Sequence, residues 1–434
     1  MPETNDLIDQ AKQAFHKNDV AALGELLSRH PSFKSRVNEL WGPFDSPPIV
    51  SARSREMLDL LLAAGADINA KSGWWAGGFG FLHCAEPDLA AYAMRRGAVV
   101  DVHAAARLGL FERVKELVAL SPELVHARGG DGQTPLHFAA TVEIAEFLLS
   151  RGADIDALDI DHESTPAQYM VRERQDVAKY LVKRGCKTDL LMGAALGDLE
   201  LVRKHLDANP DAIAMNVSED YFPKQNPRAG GTIYIWTLGF HKTAHLVARE
   251  FRHENVFRLL MDRSPETLRF ALACELGDEV TFRALLASRP NLVQMLSEDE
   301  RRKLATAAES NNTKAVWLML AAGWPVNACA RHGATALHWA CFHGNLDMAK
   351  LILNYAPPLE VEDADFHATP LGWAIHGSEH GWHRQTGNYA GTVEAMLAAG
   401  AKAPPEIKGS QAVQEVLRSR VSSRSDVAGW TDPI

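Results

Sequence analysis

The 434-residue chain reads as an all-α solenoid, a stack of short helix-turn-helix units with a few elaborated loops. Two recurring phrases and one recurring interval predict it. LLAAGADINA at 61–70 returns as LLSRGADIDA at 148–157 and as MLAAGA at 396–401. TPLHFAA at 134–140 returns as TALHWAC at 335–341 and TPLGWAI at 369–375. The interval separates Asn18 from Pro31, Gly109 from Pro122, Gly197 from Pro210 and Gly277 from Pro290, thirteen residues each time. Self-similarity of this kind marks a repeat array, in which no unit buries its apolar face alone.

Each element has a local cause. Thr134 is placed to cap a helix, and Pro135 suits its first turn. Ala139 and Ala140 are small enough for neighbouring helices to approach closely. VEIAEFLL is apolar at helical spacing, and Gly152 can take the left-handed conformation that ends it. Inside the thirteen-residue interval, Leu23, Val114, Val202 and Phe282 occupy one matching place, and Leu27, Val118, Leu206 and Leu286 a second. The proline ends each of these helices. The copies recur about every 80 to 90 residues, a higher-order period of roughly two and a half units.

Taken together, the phrases resemble the ankyrin repeat: TPLHxAA, a helix, a turn with glycine, a second helix ending LLxxGAD, then a finger-like loop. The likeness is strongest at 131–190 and 331–401. It implies an ankyrin solenoid of about a dozen units, capped at both ends, with a tail after Val421. It also implies protein recognition through the concave groove and the fingers. The expected organisation is N-terminal ankyrin-like units over 1–130, ankyrin units over 131–216, an inserted hairpin over 217–242, further units over 243–401, and a cap and tail over 402–434.

Three segments depart from the short pattern. KSGWWAGGFGFLH at 71–83 is rich in glycine and aromatics. The segment 217–242 is far longer than a finger, and its TIYIWTL run alternates as a strand does, which predicts a hairpin. In that reading Tyr234 and Trp236 share one face. The segment 376–391, HGSEHGWHRQTGNYAG, inserts about eleven residues between two helices of one unit, judged against 338–355.

Composition narrows the function. A net charge of −10 argues against a nucleic-acid phosphate partner. The N-terminal residues carry no secretory pattern, and no apolar run is long enough for a membrane span. Five scattered cysteines without a CxxC pair suggest a reduced, cytoplasmic protein with buried thiols. No phosphate loop, nucleophile elbow or zinc knuckle is visible.

Candidate functional residues follow from departures from the pattern and from its concave-face positions. His103, His137 and His338 hold the usual ankyrin histidine position, which ties units together, and Trp339 and Trp373 read as core. His245 stands where the pattern expects an apolar side chain, because TAHLVA exchanges the two places. With Tyr234 and the finger carboxylate Asp161 it forms the candidate catalytic set. The candidate binding residues are His162, Gln168, Tyr169, Arg172, Trp236, Glu250, Phe251, Phe342, His343, His376 and Arg384. Glu163 and His367 replace the glycine normal at their turns, which implies an altered or strained turn. His376, His380 and His383 have helical spacing, but Gly377, Gly381 and Gly387 favour a hydrogen-bonded loop, so neither a metal nor another cofactor is expected. The leading functional expectation is a module that binds another protein. The alternative is a pocket under the 217–242 hairpin that takes a small polar molecule or performs metal-free acid–base chemistry.

Overall fold

The structure, a computed structural model, describes residues 2–427. The chain forms two compact units, one up to Asp262 and one from Arg263. Among the described residues the regular structure is helical, with four isolated antiparallel bridges and no extended strand.

The thirteen-residue interval is a real structural unit. Its first residue is left-handed in every copy, with φ of 53° at Asn18, 72° at Gly109, 70° at Gly197 and 66° at Gly277. The helices Val20–Arg29, Phe111–Leu120, Leu199–Ala208 and Glu279–Ser288 follow. Asp19, Asp198 and Asp278 each cap theirs by accepting an N–H three residues on, which satisfies one of the orphan donors of the first turn. Three of the four closing prolines open a short 3₁₀ turn, at Pro31–Arg36, Pro122–His126 and Pro210–Ala214, which redirects the chain to the next unit. Leu23, Val114, Val202 and Phe282 are buried, as are Leu27, Val118 and Leu206, and Leu286 is half-buried.

The histidine of the TPLH phrase acts as a clasp. In the first unit Thr134 donates its N–H to His137 Nδ1 at 3.1 Å, and His137 Nε2 donates to the Ser164 carbonyl of the next repeat at 3.1 Å. In the second unit His338 does the same with Thr335 at 3.1 Å and Ala368 at 3.2 Å. Gln168 imitates half of this clasp, its Oε1 accepting the Thr165 N–H at 2.9 Å. Burial holds these imidazoles neutral: it drives His137 down to about 3 and His103 down to about 4. Such groups favour the fold above the ordinary histidine range near 6.5, and the benefit drains away as pH falls through that range towards 3 to 4. Unfolding free energy should therefore drop between pH 7.5 and pH 5 by about 2 kcal/mol for each of the two residues. Urea midpoints at the two pH values measure this. His137→Gln, copying position 168, should remove its own share of the drop, and an unchanged slope in that variant would contradict the assignment.

Three expectations need correction. The TIYIWTL run is not a strand. Residues Tyr234–Thr237 form a short helix, and the segment 217–242 has no hairpin beyond a pinch at its base, where Val217 and Lys242 pair next to the Asn216–Thr243 bridge. Local β propensity loses because Tyr234 has a buried socket to fill and no partner strand lies alongside. Tyr234 and Trp236 consequently do not share a face: Tyr234 is fully buried and Trp236 is 72% exposed. The second correction concerns 376–391. Helix Pro370–His380 runs straight through Gly377, so His376 and His380 are helical neighbours with ring centroids 4.8 Å apart. Gly377 is there for contact, not for breaking the helix: a Cβ on it would sit 2.6 Å from the Phe342 carbonyl oxygen. Third, Cys84 and Cys329 are exposed; all five cysteines are free, and Cys186, Cys274 and Cys341 are buried. The expected tail after Val421 is helical as far as Val427, and residues 428–434 lie outside the described residues.

Candidate functional site

In the first unit the departures from the repeat pattern meet one another. The finger at 157–164 folds around Asp159, whose carboxylate accepts the N–H of His162 at 2.7 Å and of Ser164 at 2.8 Å, and the Tyr169 hydroxyl at 3.0 Å. The preceding finger presents Asp131 in a left-handed conformation, and its carbonyl accepts the N–H groups of Ile160 and Asp161. The inserted segment lies across this tip. Glu163 accepts the backbone N–H of Gln225 and Asn226, both at 2.7 Å, and Ser164 Oγ accepts that of Ile233 at 3.0 Å. Asp161 accepts the Gly230 N–H, and His162 Nδ1 donates to the Gly231 carbonyl at 2.9 Å. This explains why glutamate replaces glycine at position 163. Its φ of 47° is strained, and the strain aims a carboxylate at two otherwise orphaned donors. The 71–80 segment joins from the other side: the Arg228 guanidinium lies 4.6 Å over the Trp75 ring, and a Cβ on Gly130 would collide with Phe79 at 2.3 Å.

This tip concentrates negative charge. His162 Nε2 stands 3.8 Å from an Asp131 oxygen and 3.9 Å from an Asp161 oxygen. Burial first, and then the Asp161 and Asp159 charges, push the Asp131 carboxyl up to about 6 against the pull of His162. These three residues could hold a metal ion, as could His83, Asp101 and His103. The latter set is already internally satisfied, because His83 Nε2 lies 3.0 Å from both Asp101 oxygens and His103 Nε2 donates to the Ala127 carbonyl at 3.0 Å.

The other expected residues of this unit are distributed as follows. The Tyr234 hydroxyl donates to Asp189 at 2.9 Å, and burial beside that carboxylate raises it well above 10. His245 is fully buried in helix Ala244–Glu250. Tyr234 is thus spent on Asp189 rather than facing the Asp161 carboxylate. Arg172, Glu250 and Phe251 do come together: the guanidinium pairs with Glu250 at 2.6 Å and covers the Phe251 ring at 4.9 Å. Arg172 also bonds the Thr237 carbonyl, and Lys242 bonds Glu250.

In the second unit a cavity of about 400 Å³ opens between the units at 331–342 and 366–382. Trp339, Phe342, Phe366, Trp373 and Trp382 form its walls, with Arg331, His332 and His376 at its edge. The walls stand nearly square to one another: Trp339 meets Trp373 at 85° and 5.0 Å, and Phe342 meets Trp382 at 90° and 5.3 Å. Trp382 lies almost parallel to Trp339 at 6.0 Å. The small residues Ala368 and Gly372 leave the space open. Two polar groups at the edge already have partners, His332 Nδ1 with Asp365 at 2.6 Å and Arg331 with Glu309 at 3.4 Å. His332 owes its place to a left-handed turn of φ 62°. A larger hollow of about 530 Å³ near Pro43 and Leu89 in the first unit has only two aromatic rings, Phe44 and Phe79, in its lining.

Phe342 and His376 were legible as candidates and line this cavity. His343 is buried, donating from Nε2 to the Glu309 carbonyl at 2.8 Å, and Arg384 lies exposed beyond the helix. Sequence reasoning missed Arg331, His332, Phe366 and Trp382, and it read Trp339 and Trp373 as core in preference to a ligand platform. Both tryptophans are indeed buried, yet one edge of each faces the hollow. The available signal was a tryptophan in the same register of two consecutive units.

The ankyrin-repeat family matches the chain in three copies, over residues 102–192, 270–365 and 304–381. With the helical architecture and the histidine clasps, this makes the chain an ankyrin-repeat protein. It is similar to ankyrin repeat and SAM domain-containing protein 6 of Mus musculus, 31% identical over 118 residues that cover 24% of this chain and 13% of that protein. It is also similar to palmitoyltransferase ZDHHC13 of Mus musculus, 31% identical over 105 residues, 23% of this chain and 17% of that protein. The chain therefore spans less than a fifth of the length of these curated relatives. Ankyrin repeats are in general protein-interaction modules. No helix among the described residues is long and apolar enough to cross a membrane.

Proposed function

We propose that this chain is a protein-recognition module whose second unit anchors a partner segment by taking one of its large apolar side chains into the Trp339–Trp373–Trp382 cavity. The observation that carries the reading is the cavity itself. It falls within the volume range of specific pockets, and its walls are the aromatic side chains on which binding energy concentrates at interfaces. Phe366 and Trp382 are 64% and 60% exposed at its rim, a cost in water that a bound partner recovers. Because the Arg331 guanidinium at the rim is already paired with Glu309, an entering apolar group does not strand it.

Selection of random displayed peptides on the full chain tests this. Enriched peptides should share an aromatic or large aliphatic anchor. They should bind a Trp382→Ala, Phe366→Ala variant at least tenfold more weakly, a loss of about 1.4 kcal/mol. Both residues are exposed, so the variant should melt where the parent does. Peptides that bind parent and variant alike would refute the pocket as the anchor.

A further inference from the structure

We propose that Asp131, Asp161 and His162 form a binding site for one divalent transition-metal cation, with zinc the best fit. The site lies in the first unit, apart from the aromatic cavity, and does not depend on the reading given to that cavity.

The first observation is a mixed ligand set in reach of a single ion. One oxygen of each carboxylate and one ring nitrogen of His162 all lie within 4.8 Å of one another. Zinc bonds to imidazole nitrogen and carboxylate oxygen are about 2.0–2.2 Å, so tetrahedral ligands sit roughly 3.3–3.5 Å apart. The His162 Nε2 distances of 3.8 Å and 3.9 Å need a contraction of only about half an ångström.

The second observation concerns the tautomer. His162 Nδ1 lies 2.9 Å from the Gly231 carbonyl, which can only accept. Nδ1 therefore carries a proton, so Nε2, which faces both carboxylates, is the ring atom available to a metal. A backbone carbonyl fixing the far nitrogen of a ligating histidine is the usual outer-shell arrangement of a metal site. That carbonyl belongs to the inserted segment, so a residue outside the cluster sets its orientation.

The third observation is a buried carboxylate aimed at the histidine. The Asp161 side chain is 9% exposed. Its Oδ1 accepts the Gly230 N–H at 3.1 Å, and its Oδ2 faces His162 Nε2 at 3.9 Å, beyond hydrogen-bond distance. Two carboxylates held this close repel each other unless positive charge, a metal ion or the proton of a charged His162, stands between them. One imidazole with two carboxylates suits zinc better than magnesium or calcium, which take oxygen ligands alone. Three protein ligands leave a fourth position open.

The test uses the full chain stripped with EDTA and titrated with zinc chloride in a calorimeter, with magnesium chloride in parallel. One zinc per chain is expected, with weak or absent magnesium binding. Asp131→Asn and His162→Gln keep the side-chain shapes and should each weaken zinc at least tenfold. Zinc should raise the melting temperature of the parent only. His380→Ala with His383→Ala should leave the titration unchanged. X-ray absorption at the zinc edge of the parent needs no variant: it should show one imidazole with nitrogen and oxygen ligands only. Absence of zinc binding, zinc retained by Asp131→Asn, zinc lost with the 380/383 pair, or an edge spectrum with two or more imidazoles or any sulfur would each overturn the proposal.

Discussion

Alanine in place of Leu148 is expected to lower the unfolding free energy by about 2–5 kcal/mol. Leu148 is fully buried in helix Val142–Ser150, which packs against helix Phe111–Leu120 on one side and Gln175–Lys183 on the other. In a stacked array each unit depends on its two neighbours, so one cavity weakens two interfaces at once. Phe147 in the same helix is half-buried and instead meets Phe111 edge to face at 5.8 Å. Its truncation should cost less. Chemical denaturation decides: a loss below about 1 kcal/mol for Leu148→Ala would mean that the helix is wrongly placed.

Gly377→Ala is expected to destabilise by about 1–3 kcal/mol, the usual cost of overpacking. The sign is the informative part. In an exposed helix the same change stabilises by up to about 1 kcal/mol, since glycine is the poorer helix former. Here the added Cβ would lie 2.6 Å from the Phe342 carbonyl oxygen and 3.0 Å from the Tyr389 ring. Backbone cannot retreat as a flexible side chain does, so helices Pro370–His380 and Ala336–Phe342 must separate. Those two helices also carry Trp373, Trp339 and Phe342, so the same variant should loosen the aromatic cavity. A gain in melting temperature would show that the helices are not in the described contact.

What was legible in the sequence was what repeats. Clasp histidines, N-terminal caps and left-handed turns each answer to a short-range rule, and several copies of each rule can be compared within one chain. The insertions have no second copy, and their conformation is set by what they touch. TIYIWTL has the alternation of a strand, but Tyr234 is drawn into a socket beside Asp189 and Phe222, and the backbone follows. Gly377 looks like a helix breaker because a single sequence cannot show the carbonyl of residue 342 against it. The candidate sites divide in the same way. Asp161 and His162 stood out in an acidic finger, Tyr169 beside the replaced clasp histidine, Phe342 at a place that faces the concave side in ankyrin repeats, and His376 in an insertion. Asp131 did not stand out, because aspartate is ordinary at a fingertip and only the folding of one finger onto the next brings it to His162. Trp382 is one tryptophan in a segment that resembles nothing else in the chain.

The central claim is that the aromatic cavity of the second unit seats a partner's side chain. The most direct measurement replaces the anchor residue of a selected peptide with a benzophenone-bearing one, irradiates the complex, and maps the crosslink by mass spectrometry. The crosslink should fall on the residues that wall the cavity, within 331–342 or 366–382, and should vanish with excess unlabelled peptide. Competed crosslinks mapping instead to the fingers and inserted segment of the first unit would contradict the claim.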